Sequence, residues 1–233
     1  MSGFADIHSH FLYGLDDGAK TKADMESMLD AAYADGIGIL YATPHLAPGI
    51  YPFDAELYRR RLEEARAYCR QKQYPICIRA GAELMYTPAL NQYAMDGELP
   101  VLGDSDCVLI EFLPDISYDE LCDAAALIGS CGYIVVIAHA ERYPCLYRGN
   151  RAAKLRKTHN VRLQVNCGSV IRCRGFFRKW MLKRWLRLKL IDYVASDAHD
   201  NLVRPMRMKQ AYERLSQEYG ETYAAELTGK DGP

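Results

Sequence analysis

Residues 4–10 read Phe4-Ala5-Asp6-Ile7-His8-Ser9-His10. A short apolar run of strand character gives way at its end to His-Ser-His. An open, doubly wound parallel sheet usually carries a glycine-rich phosphate turn after its first strand; here two histidines stand in that place. Alternate residues of a strand point to the same side, so His8 and His10 can grip one ion. Taking Phe4–Ser9 as the first strand, six more short apolar runs follow: Ile37–Thr43, Ile76–Ala82, Cys107–Phe112, Tyr133–Ala138, Arg162–Asn166 and Ile191–Ser196. Between them lie patterns of helical period. Segment 21–35 brings Met25, Met28, Leu29, Ala32 and Tyr33 to one face behind a Thr21/Asp24 capping box. Segment 205–219 does the same with Met208, Ala211, Tyr212, Leu215 and Tyr219, and segments 54–72, 118–131 and 175–189 also read as helices. Strands alternating with helices predict an α/β fold with a parallel sheet. The His-Ser-His turn favours a closed or nearly closed barrel over the open sheet, with its site at the C-terminal rim.

No Ser/Gly-rich linker or composition break divides the 233 residues, which predicts one domain over 1–228 and a polar, disordered tail at 229–233. A formal net charge of −1 gives no global field toward nucleic acid or an anionic membrane. The first residues hold Asp6, His8 and His10, which no secretory segment would carry. The longest apolar run, Tyr133–Ala138, is too short to cross a bilayer. The cysteines at 69, 77, 107, 122, 131, 145, 167 and 173 form no Cys-x-x-Cys pair. They read as buried thiols, and the expected location is a reducing cytoplasm.

The strand ends carry the chemistry. After His8 and His10 come Asp16 and Asp17, then His45, Glu83, Glu111, His139 with Glu141 and Arg142, Asn166, and finally Asp197 with His199. Five of the six histidines lie at these ends. Imidazole and carboxylate are the ligands of manganese, iron and zinc. Asp197 and His199 form a second strand-spaced pair, and Glu83 and Glu111 are candidates to bridge neighbouring ions. Any one of these residues alone reads as a satisfied structural group or a rim charge; six of seven strands delivering such a group at one end does not. Asp16 and Asp17 also fit a plain turn, Asn166 reads as a supporting residue, and His159 falls on the opposite face. Arg142 suits a phosphate, which a guanidinium holds by paired hydrogen bonds; its alternative is an ion pair with Glu141. Cys145 and Arg151 have the Cys-x5-Arg spacing of thiol phosphatases, but they follow Tyr143-Pro144 rather than linking a strand to a helix.

In order along residues 4–215, these motifs resemble the capsule-type bacterial protein-tyrosine phosphatases of the polymerase and histidinol phosphatase (PHP) superfamily. The Leu15-Asp16-Asp17-Gly18 and His139-Ala140-Glu141-Arg142-Tyr143 segments are the more specific part of the match. The resemblance implies a distorted (β/α)7 barrel and a site for three ions, usually manganese. It implies that His8, His10, Glu83 and Asp197 hold one ion, Glu83, Glu111 and His139 a second, and Asp17, His45 and His199 a third. Arg142 would bind phosphate, and His199 or Asp17 would protonate the leaving group. The implied substrate is the phosphorylated, tyrosine-rich tail of a bacterial tyrosine kinase that controls capsule or exopolysaccharide synthesis. The rivals are a PHP phosphatase for a small ester such as histidinol phosphate, an amidohydrolase-like enzyme, and a non-catalytic barrel. No lysine falls at a strand end to be carbamylated as in many amidohydrolases.

Segment 172–189 carries eight Lys or Arg and no acid. As a helix from about 175 it would turn Phe177, Met181, Trp185 and Leu188 onto the barrel. Arg178, Lys179, Lys183 and Arg187 would then face elsewhere, either as the solvated basic face of an ordinary barrel helix or toward an anionic partner, a phosphorylated tail or a membrane surface.

Overall fold

In a computed structural model the described residues are 3–50, 53–229 and 232–233. The strands are β1 (Phe4–Asp6), β2 (Ile37–Ala42), β3 (His45–Leu46), β4 (Cys77–Ala80), β5 (Glu83–Met85), β6 (Cys107–Glu111), β7 (Ile134–Ile137), β8 (Arg162–Asn166) and β9 (Tyr193–Ala195). The helices are α1 (Lys22–Ala34), α2 (Ala55–Lys72), α3 (Pro88–Met95), α4 (Tyr118–Ser130), α5 (Arg151–His159), α6 (Cys167–Arg172), α7 (Phe176–Arg187), α8 (Met208–Tyr219) and α9 (Glu221–Leu227). All strand pairs are parallel, in the orders β1-β2-β4 and β3-β5-β6-β7-β8-β9. A parallel bridge between Ser9 and Ala198 joins the two ends. The result is a parallel barrel, as the sequence pattern predicts, in the distorted (β/α)7 form that the resemblance implies.

Two expected strands, Ile37–Thr43 and Ile76–Ala82, end short of their predicted bounds, and after a break each is followed by a further short strand that the sequence pattern did not predict. Pro44 has no N–H to give to a ladder, so β2 stops before it and β3 begins at His45. Gly81 and Ala82 break the second, and a Cβ at Gly81 would stand 2.9 Å from Leu102 Cδ2. Both breaks fall at the same level, so β3 and β5 resume pairing in the register of β2 and β4, with His45 opposite Glu83. The kept register places two site residues side by side.

Residues alternate between two buried faces along the inner strands. Cys107, Leu109, Val136 and Ala138 fill the barrel, while Val108, Ile110, Val135 and Ile137 pack under the helices. A strand covered on both sides reads as a continuous apolar run, which is why β6 and β7 stand out in the sequence. Gln164 is the exception: it points inward between Leu163 and Val165, which face the helices, and it is fully buried.

The helix faces agree with the periodicity except at their ends. The Thr21/Asp24 capping box forms, and Met25, Met28, Leu29 and Ala32 are buried. Tyr33, predicted to join them, is half exposed and stacks on Tyr74 at 4.1 Å. On α8, Met208, Ala211 and Leu215 are buried, with Tyr212 and Tyr219 packed at the margin. On α7, Met181 and Trp185 are buried with Leu182 and Leu186, but Phe177 is 69% and Leu188 54% exposed. The α7 stripe is therefore shorter than predicted, covering the barrel with the C-terminal half of the helix. The eight cysteines are all free. Cys69, Cys107 and Cys167 are buried as expected, four are partly covered, and Cys77 is exposed. Of the tail, Lys230 and Asp231 lie outside the described residues, and the Gly229 carbonyl accepts from the Ala5 amide.

Candidate metal centre

The nine residues expected as ligands meet at the C-terminal rim. Three groups have ligand atoms within 4.8 Å of one another: His8, His10, Glu83 and Asp197; His45, Glu83 and Glu111; and His10, Asp17, His45 and His199. The first is the set expected for one ion. His10 joins the third set in addition to its expected one. His45 Nδ1 faces Glu83 and Glu111 at 3.1 and 2.9 Å, while its Nε2 faces Asp17 at 3.3 Å, so one ring spans two groups. His139 stands beside the second group, with Nε2 2.9 Å from Glu83 and 3.6 Å from Glu111. His159 ends α5 and belongs to none of them.

Hydrogen bonds around the rim set the tautomers. The His139 amide donates to Gln164 Oε1 at 2.7 Å, which fixes that oxygen as an acceptor. His8 Nδ1, 3.2 Å from the same oxygen, must therefore be the donor. His10 Nδ1 donates to Asp16 Oδ2 at 2.8 Å, and His199 Nδ1 donates to the Asp197 carbonyl at 3.1 Å. In all three rings the other nitrogen, Nε2, is left to face the site. His8 Nε2 and His10 Nε2 are 3.1 Å apart, with Glu83 Oε2 3.1 and 3.3 Å from them. Glu83 Oε2 and His199 Nε2 are both buried without a hydrogen-bond partner. Lone pairs converging on carboxylate oxygens with no donor between them repel one another unless a cation lies among them. The donor set fits such a cation: it is imidazole and carboxylate, with no thiolate, and the outer nitrogens are held by partners that orient metal-binding rings elsewhere.

Protons compete for the same lone pairs. Burial lowers His8, but the charges of Glu83 and Asp197 outweigh it and raise it to about 9; Glu111 and Glu83 likewise lift His45 to about 9 against burial. Below that pH each ring carries a proton that a cation must displace, so metal affinity should fall with pH. The expected slope is up to about tenfold per pH unit for each displaced proton. Titration calorimetry in buffers of different ionisation enthalpy counts the protons released, and none released near pH 7 would refute this account. His199 goes the other way. Burial, His10 and Arg204 hold it down to about 4, leaving it neutral.

Asp197 is the most constrained member. Its Oδ2 accepts from Arg142 Nη2 and Asn166 Nδ2, each at 2.6 Å, and its Oδ1 accepts from Arg204 Nη2 at 2.6 Å. Against burial, His8 and these arginines hold it well below the usual carboxylate range. Arg142 therefore pairs with Asp197, not Glu141, whose Oε1 accepts from the Asn166 amide. Asp197 and His139 have φ of 53° and 34°. Left-handed backbone at such residues costs roughly 1–3 kcal/mol and clusters at functional sites. Among the described residues the other positive-φ positions outside glycine are Gln73 and Asn160, at helix C-caps, and Lys189, just past α7. The Asp16-Asp17-Gly18 turn is also built for the site: Asp16 Oδ1 accepts from the Gly18 amide, and a Cβ on Gly18 would lie 2.0 Å from the His10 carbonyl.

The sequence pattern missed Gln164, which orients His8, and Arg204. Cys145 lies in a short 3-10 turn after Pro144, burial pushes its thiol up, and Arg151 bonds its carbonyl, not its sulfur.

A parallel barrel with a multi-group His/carboxylate centre and two arginines at its rim defines the class of barrel metallohydrolases suited to phosphate esters. The chain belongs to the capsular polysaccharide synthesis CpsB/CapC family, whose model matches residues 4–232. Tyrosine-protein phosphatase CpsB of Streptococcus pneumoniae is 31% identical, over 95% of this chain and 93% of the relative. Tyrosine-protein phosphatase YwqE of Bacillus subtilis is 30% identical, over 96% and 88%. A crystal structure from work on YwqE and CpsB, described as unique metal-dependent tyrosine phosphatases, superposes with a TM-score of 0.86 at 29% identity. It covers 96% of this chain and 91% of its own. A putative histidinol phosphatase of Listeria monocytogenes, at TM-score 0.55 and 11% identity, shares the fold.

Proposed function

We propose that the chain is a metal-dependent protein-tyrosine phosphatase, a single catalytic domain over 1–228, acting on the tyrosine-rich tail of a bacterial tyrosine kinase in capsule or exopolysaccharide synthesis. The observation that carries this reading is the convergence of Arg142 and Arg204 on Asp197, beside the donor set for cations. Their side chains are 40% and 35% exposed, so N–H groups remain free to meet a phosphate. His8, His10, Glu83 and Asp197 would hold one ion, Glu83 and Glu111 with His139 and His45 a second, and Asp17, His45 and His199 a third. Imidazole mixed with carboxylate suits manganese, with iron or zinc as alternatives, better than magnesium. When bound, such ions supply Lewis-acid charge and make water nucleophilic at neutral pH.

The chain's own residues do the rest. Arg142 and Arg204 hold the equatorial phosphate oxygens and stabilise charge on them in the transition state. Tyrosinate, with a parent pKa of about 10, leaves with little help from a proton. Neutral His199, whose Nδ1–H is committed to Asp197, serves as a lone-pair donor. Asp17, 61% exposed, would likewise be taken up by the third ion, so the leaving tyrosinate would take its proton from solvent. Among the described residues no helix is long and apolar enough to cross a membrane. A cytoplasmic enzyme meeting the kinase tail near the membrane surface fits that observation.

EDTA should abolish hydrolysis of a phosphotyrosine peptide, with manganese restoring it better than magnesium. Iodoacetamide and Cys145→Ser should leave it nearly unchanged. Alkylation that stops turnover where chelation does not would sink the metal reading. Faster turnover of histidinol phosphate than of the peptide would replace the protein substrate by a small ester.

A further inference from the structure

A cavity of about 430 Å3 opens from Asp197 toward α6, α7 and the loop before α8. Besides Arg142 and Arg204, four more arginines line it: Arg172, Arg174, Arg178 and Arg207. Asp197 is the only carboxylate in the lining, and it is already held by Arg142 and Arg204. Among the described residues none of the other four arginines makes an ion pair. They come from the end of α6, the turn after it, the first turn of α7 and the approach to α8, yet converge on one concavity. Uncompensated like charges repel and destabilise the compact state. Such a cluster is consistent with an anionic ligand.

We propose that this pocket binds a second phosphotyrosine of the same peptide while the first occupies the metal centre, a reading that rests on the phosphatase function above. Each phosphotyrosine carries about −1.5 to −2 charges and three acceptor oxygens, which suits several guanidinium forks. The spacing follows from size. A cavity of about 430 Å3 is roughly 8 Å across, and in an extended peptide residues i and i+2 point the same way about 7 Å apart. The second phosphate therefore belongs two residues from the first. Flanking tyrosine rings have partners as well, since Phe177 and Trp180 are 69% and 52% exposed, with centroids 6.3 Å apart, in the same turns of α7 as Arg178. A flat bilayer could meet those aromatics but could not enter a concavity continuous with Asp197.

The test compares the manganese-loaded wild type with a triple variant, Arg172→Gln, Arg174→Gln and Arg207→Gln. The substrates are 4-nitrophenyl phosphate, a peptide with one phosphotyrosine, and the same peptide phosphorylated at i and i+2. Wild type should show kcat/KM on the order of tenfold higher for the doubly phosphorylated peptide. The variant should lose that gain and keep its rates on the other two. Equal rates of wild type on both peptides, or a variant that keeps the gain, overturns the proposal. So does a variant that loses only its binding to phosphatidylserine vesicles, which would assign these arginines to a membrane. Calorimetry with phosphonate analogues of both peptides reads the same ratio as affinity. A wild type that turns over no aryl phosphate but binds the double analogue more tightly would sink the phosphatase reading and leave the second site standing.

Discussion

Glu83→Gln should strip the protein of most of its metal and reduce turnover of an aryl phosphate by more than about 10^3, while the fold survives. Replacing a residue that merely supports a metal ligand commonly costs about 10–100-fold in affinity or activity, and Glu83 is placed as a direct donor. It is fully buried and belongs to two of the three donor groups. Its oxygens lie 2.9–3.3 Å from nitrogens of His8, His10, His45 and His139. Burial alone would raise its pKa, yet the charge of His8 and the close imidazoles of His10 and His139 hold it well below the usual range. Glutamine keeps the volume, so no cavity forms, but it removes the charge and turns an N–H2 toward lone pairs that need a cation. Glu111→Gln, in one group only and partly exposed, should lose less metal. Metal analysis and thermal unfolding of both variants separate ligand loss from misfolding. Wild-type metal content in the Glu83 variant would remove this residue from the centre.

What the sequence made legible was what depends on local pattern. The strands β6 and β7 are apolar on two faces, so they read as strands wherever they lie. His8-x-His10 and Asp197-x-His199 announce themselves because a strand puts such pairs on one side. Hidden were the features that depend on neighbours. Gln164 reads as one of three polar residues, with Arg162 and Asn166, on one face of its strand; its role exists only because His8 and the His139 amide meet its oxygen. A useful signal was there, a polar side chain on the inner face of a strand buried on both sides, but that face is known only once the barrel is closed. Arg204 lies seven residues past Asp197 in an irregular segment, and nothing local says that it folds back on that carboxylate. The breaks at Pro44 and Gly81 were visible as residues; that they fall level and set His45 beside Glu83 was not. Phe177 and Leu188 share the helical period of Met181 and Trp185, but the contact with the barrel ends before it reaches them.

For Arg142→Ala the expected signature is different: metal content near wild type, with kcat on an aryl phosphate lower by about 10^2 to 10^3, the size typical of losing one donor to transition-state charge. Arg142 touches the centre through Asp197 Oδ2, which keeps a second donor in Asn166 at 2.6 Å, while Arg204 still holds Oδ1. Asp197 therefore stays charged and in place when Arg142 is shortened. What is lost is a fork whose remaining N–H groups face the pocket. Arg142→Lys should recover part of the rate, since it restores charge but not the paired geometry. Arg204→Ala should resemble Arg142→Ala, and the double variant should lose less than the product of the two, because both act on one phosphate. The KM for a small aryl phosphate should move less than kcat, as expected for groups that bind the transition state better than the ground state. Metal loss in Arg142→Ala that matches the loss in rate would make the residue a support for Asp197 and remove it from phosphate binding.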